Sequence, residues 1–247
     1  MEMLVHSAFW IGLGKIIWVN LLLSGDNAVV IALAARSLAP EQQKTAVFWG
    51  AGAAVILRII LTIFAVALLT LPWLKIVGGA LLLWIGIKLL VAEDDGEEIA
   101  SSDNLLQAIK TILIADLVMS LDNVLAVAAA ADSAAPSAEL VAMKYTLLVL
   151  GLGISIPIVI FGSTLMLKLM ERWPIIITAG GALLGWIAGE MMVTDPAIDT
   201  WVEQNAPWLE DMRVAAIAGA VLVVIVGMWL AKRQQRAHAA QAEPPNS

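Results

Sequence analysis

Cysteine is absent from the 247-residue sequence, and histidine occurs only as His6 and His238, both outside the apolar runs. Disulfides and thiolate metal sites are therefore excluded, and any metal must be bound by oxygen or imidazole ligands. Charged residues are also scarce, at 14% of the chain against roughly a quarter in soluble domains. The formal net charge of −7 argues against a nucleic-acid partner, which would require a basic surface.

Apolar residues make up 61% of the sequence, which indicates that lipid is the solvent for most of the chain. A helix needs roughly 20 apolar residues to span a bilayer. Seven runs meet this requirement: 8–35, 46–69, 73–91, 105–131, 142–167, 173–193 and 213–231. Because lipid offers no partner to free backbone groups, each run is expected to be helical. The expected fold class is an all-α polytopic membrane protein with seven transmembrane helices.

The distribution of lysine and arginine predicts how the chain is oriented in the cell (inner/plasma) membrane. With the N-terminus outside and the C-terminus in the cytoplasm, the outside keeps only Lys75, Lys144 and Arg213, and the other loop cations are cytoplasmic. The opposite orientation reverses this bias. The sequence therefore predicts a multi-pass protein whose first residues are external and whose tail is cytoplasmic.

The sequence contains an internal repeat. Residues 18–32, WVNLLLSGDNAVVIA, align with residues 114–128, IADLVMSLDNVLAVA, and residues 78–93 align independently with residues 180–195 at a similar offset. Three spans separate the starts of the two copies, and an odd number of spans inverts the second copy in the membrane. Inverted repeats are typical of transporters whose substrate site lies near the midplane, between the two copies.

One matched pair of charges supports the inversion. Lys88 ends a helix on the inside in the first copy, and its counterpart Glu190 ends a helix on the outside in the second copy. The expected architecture is a 3+3 inverted repeat plus one extra C-terminal helix. Its predicted segments are a first three-helix repeat (1–91), an acidic cytoplasmic loop (92–104), a second inverted three-helix repeat (105–193), an external loop (194–212), a seventh transmembrane helix (213–231) and a disordered cytoplasmic tail (232–247).

Acidic and amide side chains lie inside the apolar runs at matched positions of the two copies. Asp26, Asp116 and Asp122 are deep within their runs, where a carboxylate costs at least a few kcal/mol and usually faces a cavity or a charged partner. Two stripes on single helix faces accompany them: Asn20, Ser24 and Asn27 in the first copy, and Asp116, Ser120 and Asn123 in the second. A structural hydrogen-bond cluster is the alternative, but three acids and three amides in symmetric places exceed what helix association needs.

The oxygen atoms of these side chains suit hard divalent cations such as Mg²⁺, Ca²⁺ or Mn²⁺ and do not suit Cu(I) or Zn²⁺. Arg58, inside the second span, is either a counter-ion to one of the aspartates while no metal is bound or a side chain that reaches an interface. Glu190 is either an ion-entry or ion-exit ligand or a solvated boundary carboxylate. Gly25 would permit the first motif to unwind, whereas Leu121 at the matched position does not favour unwinding. The candidate auxiliary residues are Ser24, Ser120, Arg58 and Glu190.

These motifs resemble the paired signature of the TerC family of integral membrane proteins. The resemblance rests on NLLLSGDN from Asn20, DLVMSLDN from Asp116 and GALLGWIAGEMM from Gly181, and it covers roughly residues 8–231. It implies efflux of Mn²⁺ through an inverted-repeat carrier related to the lysine-exporter superfamily. The ion ligands that it implies are Asn20, Asp26, Asn27, Asp116, Asp122 and Asn123.

Two other functions compete with manganese export. One is an accessory membrane protein in tellurite or metal-stress resistance, whose aspartates are structural, and the other is a Ca²⁺ carrier. An enzyme is not expected, since the spans contain neither a histidine–glutamate zinc motif nor a serine–histidine pair, and no nucleotide loop is present. The expected partners are a divalent metal ion and the lipid bilayer, and association into a homo-oligomer is compatible with the sequence.

Overall fold

The computed structural model describes residues 7–22, 25–69, 71–91, 102–134, 141–209 and 212–242, and these residues form helices joined by turns, with no strand. The helices are α1 (Ser7–Leu22), α2 (Gly25–Ala35), α3 (Pro40–Leu69), α4 (Leu74–Val91), α5 (Ser102–Ala134), α6 (Val141–Arg172), α7 (Ile175–Val193), α8 (Asp199–Asn205) and α9 (Met212–Ala242). A short 3₁₀-helix, Pro207–Leu209, follows α8. The predicted all-α class is confirmed.

Six helices are long and apolar enough to cross a membrane by length and composition. Their apolar segments are Pro40–Phe64, Leu74–Val91, Asn104–Leu121, Thr146–Arg172, Ile175–Val193 and Arg213–Arg236. The pair formed by α1 and α2 meets the same criteria together, but its axis bends by 47° between Phe9–Leu21 and Gly25–Ala35. Counting that pair as one span gives seven, the number predicted from the sequence. The chain is an all-α polytopic membrane protein.

The helices of the two predicted copies pack against each other in a reciprocal pattern. α3 packs against α5, and α1 and α2 pack against α6, so the first helix of each copy contacts the second helix of the other. The third helices of the two copies, α4 and α7, also contact each other. This is the arrangement expected of two interlocked copies. The inversion of one copy relative to the membrane stays a prediction.

The start of α4 is capped by a carboxylate that is distant in sequence. Asp195, which is completely buried, accepts hydrogen bonds from the backbone N–H groups of Trp73 (2.9 Å), Lys75 (2.9 Å) and Ile76 (3.1 Å). It accepts another from the N–H of Ala197 at 2.7 Å. Burial alone would raise the pKa of Asp195, but these four donors outweigh it and hold the pKa below its ordinary value. The cap provides hydrogen-bond acceptors for the first N–H groups of α4 and links the end of α7 to that helix.

Glycines bring α7 and α9 into backbone contact. A Cβ added at Gly185 in α7 would meet the backbone of Gly219 in α9, and one added at Gly189 would meet the backbone of Ala215. Small residues four positions apart on both helices allow this close approach. Gly78 and Gly79 of α4, and their counterparts Gly180 and Gly181 of α7, also lie close to neighbouring helices.

The C-terminal helix is longer than the sequence predicts. The predicted span ends at residue 231 and is followed by a disordered tail, whereas α9 extends to Ala242. The prediction is wrong for residues 232–242 because lysine, arginine, glutamine and alanine, which form helices readily, make up nearly all of this stretch. Residues 243–247, and residues 92–101 of the predicted acidic loop, lie outside the described residues.

Candidate metal-ion site

The polar stripe of the first copy lies where α1 ends and α2 begins. Asn20, in the last turn of α1, is buried, with 1% of its surface exposed. Asp26 lies in the first turn of α2, where the helix dipole favours a carboxylate, and its Oδ1 accepts a hydrogen bond from the backbone N–H of Asn27 at 2.8 Å. Ser24 lies outside the described residues. The two separate helices and the bend between them agree with the interruption that Gly25 permits.

The polar stripe of the second copy lies on one unbroken helix, α5. Asp116 and Ser120 are buried there, and Asn123, two turns beyond Asp116, is half-buried. The helix passes Leu121 without interruption, as the sequence predicts for this copy. Asp122 belongs to α5, but its side chain lies outside the part that the structure describes.

Arg58 of α3 joins the two stripes. Its Nε donates to Ser120 Oγ at 3.0 Å, and its Nη1 donates to Asn20 Oδ1 at 3.0 Å. Its Nη2 forms an ion pair with Asp116 Oδ1, and Ser120 Oγ donates to Asp116 Oδ2 at 3.2 Å. We call Asn20, Arg58, Asp116 and Ser120 the Arg58 cluster. Since only 3% of Arg58 is exposed, it is a counter-ion to an aspartate and does not reach an interface.

The electrostatics of the cluster leave room for a further positive charge. Asp26 lies within electrostatic reach of both Arg58 and Asp116. With both carboxylates ionised, one guanidinium balances only one of them among the described side chains. Buried charge that is not paired is costly in apolar surroundings. An additional cation near the Arg58 cluster would balance the second carboxylate.

The structure brings only some of the predicted ligands together. Asn20 and Asp116, which occupy matched positions of the repeat, meet at Arg58, and Asp26 lies near them. Within the residues that the structure describes, no three acidic or histidine side chains are grouped so that they could hold a metal ion. The oxygens of the cluster suit a hard divalent cation, but Arg58 engages them. A cation could bind Oδ1 of Asp116 here only by displacing the guanidinium.

Glu190 makes its contact within its own helix. Trp186 Nε1, one turn earlier in α7, donates to Glu190 Oε1 at 2.9 Å. At the matched position of the first copy, Lys88 Nζ lies 5.2 Å from the centroid of the Trp84 ring, also one turn earlier. Each charge thus contacts a tryptophan of its own helix. The hydrogen bonds of the Arg58 cluster come from α1, α3 and α5, and they do not include Glu190.

The two copies differ at the position of Arg58. Its counterpart in the repeat lies near Ser155 of α6, whose buried Oγ donates to the carbonyl oxygen of Gly151 at 2.9 Å. In this region the second copy therefore has a hydroxyl that is hydrogen-bonded to its own helix, and the first copy has a cation. Thr62, which sequence reasoning missed, donates its hydroxyl to the carbonyl oxygen of Arg58 at 2.8 Å. No sequence pattern marks that bond, because a threonine in an apolar run is as readily a packing residue.

Comparisons with known proteins identify the family. The model of the integral membrane protein TerC family matches residues 5–237. The uncharacterized membrane protein YjbE of Bacillus subtilis (strain 168) is 40% identical over 217 residues, which cover 88% of this chain and 95% of that protein. The uncharacterized membrane protein YkoY of the same organism is 23% identical over 240 residues, covering 92% of this chain and 74% of that protein. No solved structure is a significant match. The chain therefore belongs to the TerC family of integral membrane proteins.

Proposed function

We propose that this protein is a carrier that exports Mn²⁺ through the Arg58 cluster and the adjoining aspartates, across a cell membrane in which its N-terminus is outside and its C-terminus is cytoplasmic. The observation that carries the proposal is the buried set of charged and polar side chains from α1, α3 and α5. α3 and α5 are apolar enough to span a membrane, and α1 is so together with α2. Ionisable side chains at this depth are costly and usually mark an ion pathway.

The chemistry of the ligands restricts the transported ion. The cluster presents carboxylate, amide and hydroxyl oxygens, and the sequence has no cysteine, so a hard divalent cation is favoured over Cu(I). Mn²⁺ as the particular ion, and export as the direction, are inferred from the resemblance to the TerC family. The proposed ligands are Asn20, Asp26, Asn27, Asp116, Asp122 and Asn123.

The position of the cluster supports transport over catalysis. Both predicted copies contribute to it, since α1 and α3 belong to the first and α5 to the second. A site between two copies changes its access when one copy moves against the other. The two histidines lie outside the spans and cysteine is absent, so the aspartates and Ser120 are accompanied by neither a histidine base nor a thiol nucleophile. We therefore propose a transporter and not an enzyme.

A structural role for the aspartates is the second candidate, and one observation favours it. Asp116 is already paired with Arg58, as it would be in an accessory membrane protein whose buried charges only join helices. The two functions differ in what a substitution changes. A carrier loses transport per folded molecule, whereas an accessory protein loses folded yield.

Ion transport in liposomes containing the purified protein tests the proposed cargo. We expect Mn²⁺ to cross much faster than in protein-free liposomes, and Cu⁺ to cross no faster, because Cu⁺ prefers sulfur ligands. Glu203→Gln, which alters an exposed carboxylate outside the apolar segments, should transport as the unmodified protein does. Ca²⁺ measured in parallel separates a Ca²⁺ carrier from a Mn²⁺ carrier. Preferred transport of Cu⁺, or no transport of any of these ions, would contradict the proposal.

A further inference from the structure

Arg58 brings a permanent positive charge into the proposed ion site. A guanidinium stays protonated in proteins, and only 3% of Arg58 is exposed. Its donors engage Oδ1 of Asn20 and Oδ1 of Asp116, which are two of the proposed ligand residues. Ser120 engages the second oxygen of Asp116. The oxygens of the Arg58 cluster are therefore already occupied by an internal cation and a hydroxyl.

A divalent ion and the guanidinium compete for Asp116 in this arrangement. Like charges a few ångströms apart repel strongly where the effective dielectric constant is low. The carboxylate oxygen that faces Arg58 is also covered by its N–H group. An ion that binds Oδ1 of Asp116 must therefore displace the arginine side chain, and the arginine can return only when the ion leaves that oxygen.

Helix packing alone does not account for this ion pair. A buried ion pair adds little net stability compared with apolar side chains of similar size, and an arginine inside a membrane span is costly. The matched region of the second copy packs without a cation, since buried Ser155 is satisfied by the carbonyl oxygen of Gly151 in its own helix. The cation on α3 therefore needs an explanation beyond the joining of helices.

We infer that Arg58 is a tethered counter-ion that pairs with Asp116 whenever the transported ion is absent, so that ion binding and ion release are exchanges between the metal and the guanidinium. This inference rests on the proposed function. Exchange keeps Asp116 paired throughout the cycle, so the empty carrier never leaves this buried carboxylate uncompensated. The returning guanidinium also competes with the ion and promotes its release. Arg58 is in this account a positioning residue that sets the affinity of Asp116 for the ion.

Mn²⁺ binding and Mn²⁺ transport by the purified full-length protein test the inference in two separate assays. Arg58→Met removes the competing cation. At alkaline pH, where protons compete least for the carboxylates, we expect its affinity for Mn²⁺ to rise about tenfold, while transport per folded molecule falls because release leaves Asp116 unpaired. Arg58→Lys keeps the positive charge but not the several hydrogen bonds of the guanidinium. Its affinity for Mn²⁺ should lie between those of the unmodified protein and Arg58→Met. Arg236→Met removes an exposed arginine of α9 and should change neither quantity.

A double variant connects the affinity change to Asp116. In Arg58→Met with Asp116→Asn, Mn²⁺ affinity should fall below that of the unmodified protein, because the gained affinity depends on the freed carboxylate. Unchanged or weaker binding in folded Arg58→Met, or tighter binding with undiminished transport, would overturn the inference and leave the carrier intact. Absence of Mn²⁺ binding in every variant and in the unmodified protein would overturn both. If Arg58→Met does not fold, Arg58→Lys decides, and an affinity no higher than that of the unmodified protein overturns the inference.

Discussion

At the scale of single residues, one arginine contacts both copies of the aspartate motif. Arg58 bonds to Asn20 and to Asp116, which occupy matched positions of the repeat. The apolar sequence around these residues makes their polarity conspicuous, so the sequence could predict that they matter. It could not predict which aspartate Arg58 pairs with, because Asp116 is 58 positions away and the packing of α3 against α5 brings the two side chains together.

The pairing predicts unequal effects of two similar substitutions on stability. Asp116→Asn leaves Arg58 buried without its ion partner, a change that typically costs about 3–5 kcal/mol. Asp26→Asn should cost less, because Asp26 is half-buried and its described hydrogen bond is to a backbone N–H. Thermal unfolding in detergent measures both. Arg58→Met combined with Asp116→Asn should recover part of the loss, since neither charge remains, and a double variant as unstable as Asp116→Asn would contradict this account of the pair.

At the scale of helices, local signals are predictable and long-range caps are not. The interruption before α2 is compatible with Gly25, and the unbroken α5 is consistent with Leu121. The sequence gives no indication that Asp195 caps a distant helix, since a carboxylate just beyond a span is usually solvated. Three of the N–H groups that it caps lie 119 to 122 positions earlier in the chain. Only the packing of α4 against α7 places it there.

The cap predicts an acid-dependent contribution to stability. The pKa of Asp195 is lower in the folded protein than its ordinary value of 3.8, so its contribution is fully present above that value and is lost as the pH falls through the folded pKa. Asp195→Asn should lower the free energy of unfolding by about 2 kcal/mol near neutral pH and should remove this part of the acid dependence. Unfolding followed across pH in detergent measures both. A variant no less stable than the control Glu203→Gln would show that the cap contributes little.

At the scale of the whole molecule, the repeat explains the contacts of α1 to α7 and leaves α9 outside. The sequence could predict the repeat and the number of spans, because both appear as recurring apolar runs and matched motifs. It could not predict where the last helix attaches, since that helix has no counterpart in the repeat. The attachment includes backbone contact between Gly185 of α7 and Gly219 of α9, which neither apolar run predicts on its own.

The inverted orientation predicts opposite exposure of two loops. Ser101→Cys, in the segment between α4 and α5, should be cytoplasmic, and Thr200→Cys, at an exposed position of α8, should be external. The chain has no native cysteine, so each variant carries a single thiol. A membrane-impermeant thiol reagent applied to intact cells should label Thr200→Cys, and Ser101→Cys only after the membrane is opened. Labelling of both positions from the same side would refute the inverted arrangement.

The most direct test of the central claim is Mn²⁺ efflux by Asp26→Asn, expressed per folded molecule. Asparagine keeps the size and one acceptor oxygen of the side chain but removes its charge, and among the described side chains no ion pair of Asp26 is broken by the change. If Asp26 helps to carry the ion, efflux should fall about tenfold or more, while folded yield stays close to normal and Glu203→Gln transports normally. Full normalised efflux by Asp26→Asn, or a loss confined to folded yield, would contradict a carrier that moves Mn²⁺ through this site.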